Sequence, residues 1–239
     1  MSNEDEPFEI ENFKDYIDLI SEIGNIIQHD ICLFRGQNCD KPLLPKIGRL
    51  VDITDIDSFE KDLLTDFKKR YLAFSPITYN NDWDILALAQ HYGLYTRLLD
   101  WSESSLIALY FATEIDTAED YGVVWMFRPA EEDIVNSKVK SPFNIASTKV
   151  FNPNHISTRI TSQRGWFTCH KLLDSGRFYH FETLKNYKSK LDKIKIPRAT
   201  FPEIRVKLNL MGINSSTIYP DLTGLSKYLM WKHLKLERF

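Results

Sequence analysis

The chain has 239 residues, of which 43% are apolar, 26% charged and 13% aromatic, a composition that supplies a packed core and excludes disorder as the overall state. Its nine glycines form neither G-x-x-x-x-G-K-[ST] nor G-x-G-x-x-G, which argues against a P-loop NTPase and a standard dinucleotide-binding fold, whose backbone amides cradle phosphate at a helix start. The net charge of -3 is unevenly spread: residues 1–66 carry 16 acidic and 6 basic side chains, residues 67–181 carry 12 of each, and residues 182–239 carry 12 basic and 5 acidic. Such a split fits an acidic element docking on a basic one or a basic surface kept for a polyanion, but the favoured reading is two solvated faces that attract each other weakly.

The apolar periodicity places a first helix over Phe13–Ile27. Asp30–Phe34 reads as a short buried strand that delivers Arg35-Gly36-Gln37 at its end. Ser58 is the expected N-cap of a second helix running towards Tyr71, and Asp82–Gln90 of a third, with Gly93 at its C′ position. Ser102-Glu-Ser-Ser then caps an apolar helix over Leu106–Thr113, which leaves His91–Trp101 as a loop. Gly122–Phe127 is a strand by β-branched and aromatic content, and Ile156–Thr161 is another by alternation, continued after a break by Gln163–Phe167. The basic end reads as helical to about Leu191, followed by an edge-like strand Lys193–Ile196 stopped by Pro197 and helices over Pro202–Gly212 and Asp221–Leu236. No linker or repeat divides the chain.

The longest apolar run, Leu106–Ala112, is far short of the ~20 residues that cross a bilayer, and the acidic start Met1–Glu6 is opposite to a signal peptide's basic region. A cytoplasmic protein with no membrane partner is expected. Cys32, Cys39 and Cys169 cannot all pair, which suits a reducing compartment, and their spacing matches no zinc motif, so no metal is expected.

Three segments carry chemistry. In Phe34-Arg35-Gly36-Gln37, an arginine at a strand end meets either an internal acid such as Asp100 or a ligand's phosphate or carboxylate, and the glycine leaves room for close approach. In Gln90–Trp101, the polar groups His91, Thr96, Arg97 and Asp100 form either a structural network, with Arg97 paired to Asp100, or a site. In Ser157–Phe167, either Gln163 and the hydroxyls hydrogen-bond a polar ligand and Trp166 or Phe167 stacks on its ring, or the segment is a strand with one polar face and an aromatic plug. The lysines at 185, 188, 190, 193 and 195 read as a solvated face, with nucleic-acid contact the lesser reading. There is no G-x-S-x-G, H-E-x-x-H or kinase signature.

These blocks resemble the FRG domain family, named for the Phe-Arg-Gly at 34–36. The resemblance also rests on Gln37, on Q-H-Y-G-L-Y-T-R-L-L-D-W-S-E-S-S-L-I-A-L-Y-F-A over Gln90–Ala112, and on R-I-x-x-Q-x-G-x-F over Arg159–Phe167. It spans roughly residues 30–225 and departs at Tyr95, where proline is expected. The expected fold is α+β: a single cleft-forming domain with a small mixed or antiparallel sheet flanked by helices and a helical C-terminal end. Residues 1–29 form an acidic helical lead, 30–225 the FRG domain and 226–239 the end of a C-terminal helix.

The resemblance implies a setting in bacterial or phage conflict and, through a more distant similarity to ADP-ribosyltransferases, a cleft for a phosphate-bearing nucleotide such as NAD. On that comparison Arg35 and Arg97 are anion forks, Gln37 and Gln163 orient the ligand, and Tyr92 or Trp166 stacks on the nicotinamide. Phe34, Gly36 and Thr96 complete the binding set. His91 is a general acid/base near its ordinary pKa of ~6.5. Gln163-Arg164-Gly165 puts glycine where those enzymes carry a glutamate, so Asp100 or Glu103 takes that role or the reaction is absent. The alternative is a non-catalytic module whose basic C-terminal surface meets nucleic acid or an acidic partner.

Overall fold

The computed structural model describes residues 7–26, 31–75, 78–79, 81–114, 119–136, 139, 141–153 and 162–235. The strand expected over Ile156–Thr161, and Arg159 with it, lies outside the described residues. The fold is α+β, built on a seven-stranded mixed sheet. Its strands are β1 (Phe8–Glu9), β2 (Leu33–Gln37), β3 (Leu98–Ser102), β4 (Tyr121–Phe127), β5 (Lys149–Phe151), β6 (Gly165–Cys169) and β7 (Leu191–Pro197), in the order β1-β7-β4-β2-β3-β6-β5. All neighbours are antiparallel except β1 and β7.

The pairing is uneven at the centre. β2 pairs with β4 over all five of its residues, from Leu33↔Phe127 to Gln37↔Val123, and β3 pairs with β6 over all of its own, from Leu98↔Cys169 to Ser102↔Gly165. Between β2 and β3 the ladder holds one register, Phe34↔Ser102. Beyond it the two parts of the sheet diverge and the backbone edges of β2 and β3 open a cleft.

Helices cover both faces. α1 (Phe13–Ile26) and α4 (Ser105–Thr113) share a core with Phe34, Val124, Met126, Ile194 and Ile196, and the Tyr16 hydroxyl donates to the Ser105 carbonyl at 2.8 Å. α2 (Ile56–Arg70) and α3 (Asp82–His91) contribute to a second core with Leu98, Phe151, Phe167 and Cys169. A third core holds Leu33, Leu99, Trp101, Trp125 and Phe127 under the 181–187 segment, which contains the short α5 (Lys185–Lys188). The end of the chain is helical, with α6 (Phe201–Leu210), α7 (Ser215–Ile218) and α8 (Leu222–Lys235). Among the described residues no helix is long and apolar enough to cross a membrane, and all three cysteines are free.

Several elements differ from their sequence expectation. Arg35-Gly36-Gln37 do not follow the strand but form the last three residues of β2, each paired to β4. The loop expected over His91–Trp101 contains β3. Its Leu98 and Leu99 sit in cores on opposite faces of the sheet, so the burial that makes it a strand produces no apolar–polar alternation. α2 starts at Ile56, capped by Asp55, whose carboxylate accepts from the Ser58 backbone N–H at 3.0 Å; Ser58 is inside the helix. The helix expected up to Leu191 is reduced to α5 and a single 3-10 turn, Phe181–Thr183.

β7 is an interior strand and not an edge. Its lysines mislead because carboxylates from the acidic part of the chain hold them: Lys195 meets Glu9 of β1 at 2.9 Å and Lys193 meets Asp40 at 2.5 Å. The N-terminal lead is thus bound into the sheet, and the uneven charge of the sequence is partly a docking of its acidic start on its basic end.

Gly36 serves packing. A Cβ there would lie 1.8 Å from the Ala108 carbonyl oxygen and 2.7 Å from the Ala112 nitrogen, so α4 rests directly on the backbone of β2. Gly36→Ala is expected to destabilise the protein by about 3 kcal/mol or more, because the obstruction is backbone on both sides. Gly93→Ala meets open space at φ +94° and is expected to lose about 1 kcal/mol, the left-handed penalty alone. Equilibrium denaturation checks both; equal losses would show that α4 is not seated on β2.

A candidate binding cleft at the split of the sheet

The cleft between β2 and β3 has a volume of about 450 Å³. Its floor is the diverging backbone of Phe34-Arg35-Gly36 and Leu99-Asp100-Trp101. One wall comes from α4 through Ala108 and Phe111, another from the C-terminal end of α3 through Gln90 and His91, and a third from Gln163 and Gly165–Phe167. The turn Leu44–Arg49 closes the remaining side with two more cations, Lys46 and Arg49.

Arg35 lies across the split. Its Nη1 donates to the Asp100 carbonyl at 2.7 Å and stands 3.7 Å from the Asp100 carboxylate, while its Nε is buried with no hydrogen-bond partner. A guanidinium in this state is costly, since a buried donor without an acceptor loses the full energy of desolvation. Burial depresses its pKa; Asp100 pulls the other way and the nearby Arg49 adds to the depression. Arg35 and Arg49 thus repel each other across the cleft with a single carboxylate, Asp100, among the lining residues.

Asp100 is held in place although its side chain is 64% exposed. The Gln90 amide donates to its Oδ1 at 2.9 Å, the Thr96 hydroxyl donates to the Gln90 carbonyl oxygen, and Thr96 Oγ1 accepts from the Leu98 backbone N–H at 3.2 Å. This chain runs from the start of β3 to the carboxylate at the cleft and fixes which oxygen faces the opening.

The other residues expected in the site are distributed as follows. Phe34 and Gly36 line the cleft. Gln163 lines it too, with its amide nitrogen donating to the Ile218 carbonyl at 3.2 Å. Trp166 is a wall residue whose indole N–H donates to Glu103 at 2.8 Å, so Glu103 positions a ring and is not a lining carboxylate. His91 sits half-buried at the rim, edge-on to the exposed Tyr92 at 4.9 Å. Tyr92 and Thr96 are not among the lining residues. Gln37 lies further along β2, its carbonyl oxygen accepting from the Trp125 indole at 3.0 Å.

Arg97 is the clearest displacement. It is 1% exposed and turned away from the cleft, with Nε 2.7 Å from Glu60 and Nη2 2.9 Å from Asp57, both on α2, and its guanidinium 4.5 Å from the Phe143 ring centre. Its ion pairs are with Asp57 and Glu60 and not with Asp100. The reason is the alternation of β3 and its approach: two buried carboxylate oxygens of Glu60 take both the backbone N–H and the side chain of Arg97, which pins α2 to the start of the strand. Burial pushes the Glu60 carboxyl above its ordinary range even against the pull of Arg97.

Lys46 and Arg49 were not legible in the sequence as site residues. They fall in an unremarkable Pro-Lys-Ile-Gly-Arg stretch, and only the packing of Ile47 under the turn brings them to the cleft.

Glu60→Ala is expected to destabilise the protein by about 3–5 kcal/mol, because it leaves a buried guanidinium short of its partner, whereas Asp100→Ala costs ~1 kcal/mol or less at an exposed position. Urea denaturation separates them. Burial works against ionisation of Asp57, but hydrogen bonds from Lys61 and Arg97 outweigh it and hold the carboxyl below the ordinary range. A depressed carboxyl stabilises above its unfolded pKa of ~3.9 and loses that contribution as pH falls through the lower folded value. Asp57→Asn is therefore expected to flatten the loss of stability below about pH 4.

No curated protein and no solved structure matches the chain. A family model does: residues 30–121, from the end of the N-terminal lead to the start of β4, match the FRG domain. That match takes in β2 with its Phe-Arg-Gly, the Leu44–Arg49 turn, the Arg97 network, Asp100 and α4, and so covers the split in the sheet together with most of the walls of the cleft. Over those residues the chain is similar to the FRG domain.

Proposed function

We propose that the cleft binds a phosphate-bearing nucleotide, with NAD as the candidate, and that Asp100 equips it to cleave the bond between the ribose and the nicotinamide. The observation that carries this reading is the convergence of Arg35, Lys46 and Arg49 on one open cleft against a single carboxylate, with a buried Arg35 Nε lacking an acceptor. An anion supplies that acceptor and relieves the repulsion between the two guanidinia. A ring fits beside Trp166 and Phe111, which line the same space.

Asp100 is oriented by Gln90 and is the carboxylate nearest the Arg35 fork, the kind of group that stabilises positive charge developing on a ribose. It would stand in for the glutamate that Gly165 replaces. His91 at the rim has the reach to exchange a proton with an acceptor. The basic C-terminal segment supports the polyanion reading less well, since Lys190, Lys193 and Lys195 are engaged by Asp133, Asp40 and Glu9.

Titration calorimetry with NAD and with ADP-ribose is expected to give salt-sensitive binding that Arg35→Ala weakens by about 10- to 100-fold, the value of one charge-assisted contact. Asp100→Asn is expected to retain binding and lose release of nicotinamide. Failure of both nucleotides to bind, with Arg35→Ala indistinguishable from the parent, would overturn the proposal.

A further inference from the structure

A second cavity, separate from the cleft, lies where the C-terminal helices meet α4. It has a volume of about 250 Å³ and is walled by Tyr110 and Glu114 of α4, Arg205 and Asn209 of α6, and Lys227, Tyr228 and Trp231 of α8. Its aromatic side is not explained by core packing: Tyr228 and Trp231 stack on each other at 6.5 Å and 25°, and neither belongs to any of the cores described above. A stacked Tyr–Trp pair facing a cavity presents a flat apolar wall of the size of one or two rings.

The polar side is rich in donors. The one lining carboxylate, Glu114, already accepts from the Tyr219 hydroxyl at 3.0 Å and the Tyr110 hydroxyl at 3.4 Å. Two cations face it. The Arg205 guanidinium is anchored through Nε to the Thr113 carbonyl, and the Lys227 ammonium stands 3.9 Å from Glu114 and over the Tyr219 ring. Asn209 uses its carbonyl oxygen to accept from Asn214 at 3.1 Å, which leaves its amide nitrogen as a third donor. Donors at one end, two of them cationic, and stacked rings at the other select a ligand with an anionic head and a flat body.

We infer that this cavity is a binding site for a small aromatic carboxylate. The site also has a mechanical connection to the cleft. α4 offers Ala108 and Phe111 to the cleft and Tyr110 and Glu114 to the cavity, and the cleft residue Gln163 donates to Ile218 at the end of α7. The inference stands apart from the nucleotide reading, since it uses none of the cleft residues.

The test uses the full chain and two probes, benzoate and indole-3-acetate, each compared with its neutral carboxamide by calorimetry and thermal shift. The acids are expected to bind and the amides to bind roughly tenfold or more weakly, the difference of one charge-assisted contact. Lys227→Glu, at an exposed position, and Trp231→Ala are each expected to weaken the acids by about tenfold without lowering the melting temperature of the unliganded protein. Arg35→Ala is expected to leave acid binding unchanged, which separates this site from the cationic cleft. Absence of acid binding, equal affinity for acid and amide, insensitivity to both α8 variants, or loss of binding in Arg35→Ala would each overturn the inference.

Discussion

β2 and β3 meet at one register, Phe34↔Ser102, and the candidate site exists because they meet nowhere else along their length. Each strand spends its full set of pairings on its outer neighbour, β4 or β6, so the sheet is two rigid ladders hinged at a point. Ser102 secures that point from the side: its hydroxyl donates to the Gln163 carbonyl at 2.7 Å and accepts from the Ser104 backbone N–H at 3.0 Å. α4 starts three residues later, capped by Ser104, and lies on β2 so closely that Gly36 has no room for a side chain. The hinge, the cap of α4 and the helix that walls the cleft are thus consecutive in the chain.

Burial energetics assign opposite roles to the two arginines of the domain's central motifs. Arg97 is sealed in and fully matched, with a backbone N–H and two side-chain nitrogens facing the carboxylates of α2, and such a network holds α2 to the sheet only because every charge is met. Arg35 is also largely buried but incompletely matched, with one carbonyl, one distant carboxylate, and an Nε facing nothing. An unmatched buried cation opposite other cations is unfavourable for folding and favourable for holding an anion. Arg35 is also felt by the buried His170, whose pKa is pushed down to about 3 by burial and by Arg35 and which shares the Thr168 hydroxyl through Nε2 at 3.0 Å.

The uneven charge of the sequence reads most simply as two solvated faces, yet tertiary contacts pair part of it directly. Glu9 and Asp40 from the acidic part neutralise Lys195 and Lys193, and Asp57 and Glu60 neutralise Arg97. What lines the split sheet is a small set of cations from distant parts of the sequence, Arg35, Lys46 and Arg49, which share the one lining carboxylate, Asp100.

The sequence by itself determined the α+β class, the three long helices of the first half, the strand carrying Phe-Arg-Gly, the strand before Pro129 and the central block on which the domain match rests, because these segments have strong periodicity, caps or breakers of their own. It also pointed to Arg35, His91, Asp100 and Gln163 as neighbours of one site. It did not reveal β3, β5 or the interior position of β7. A strand buried on both faces has no alternation, and lysines that salt-bridge across a sheet look like solvated ones. Only the tertiary structure decided that Arg97 braces α2, that Gly36 serves helix packing, and that Lys46 and Arg49 join the cleft. Each depends on which distant carboxylate or backbone atom comes within a few ångströms, and local sequence does not encode that distance.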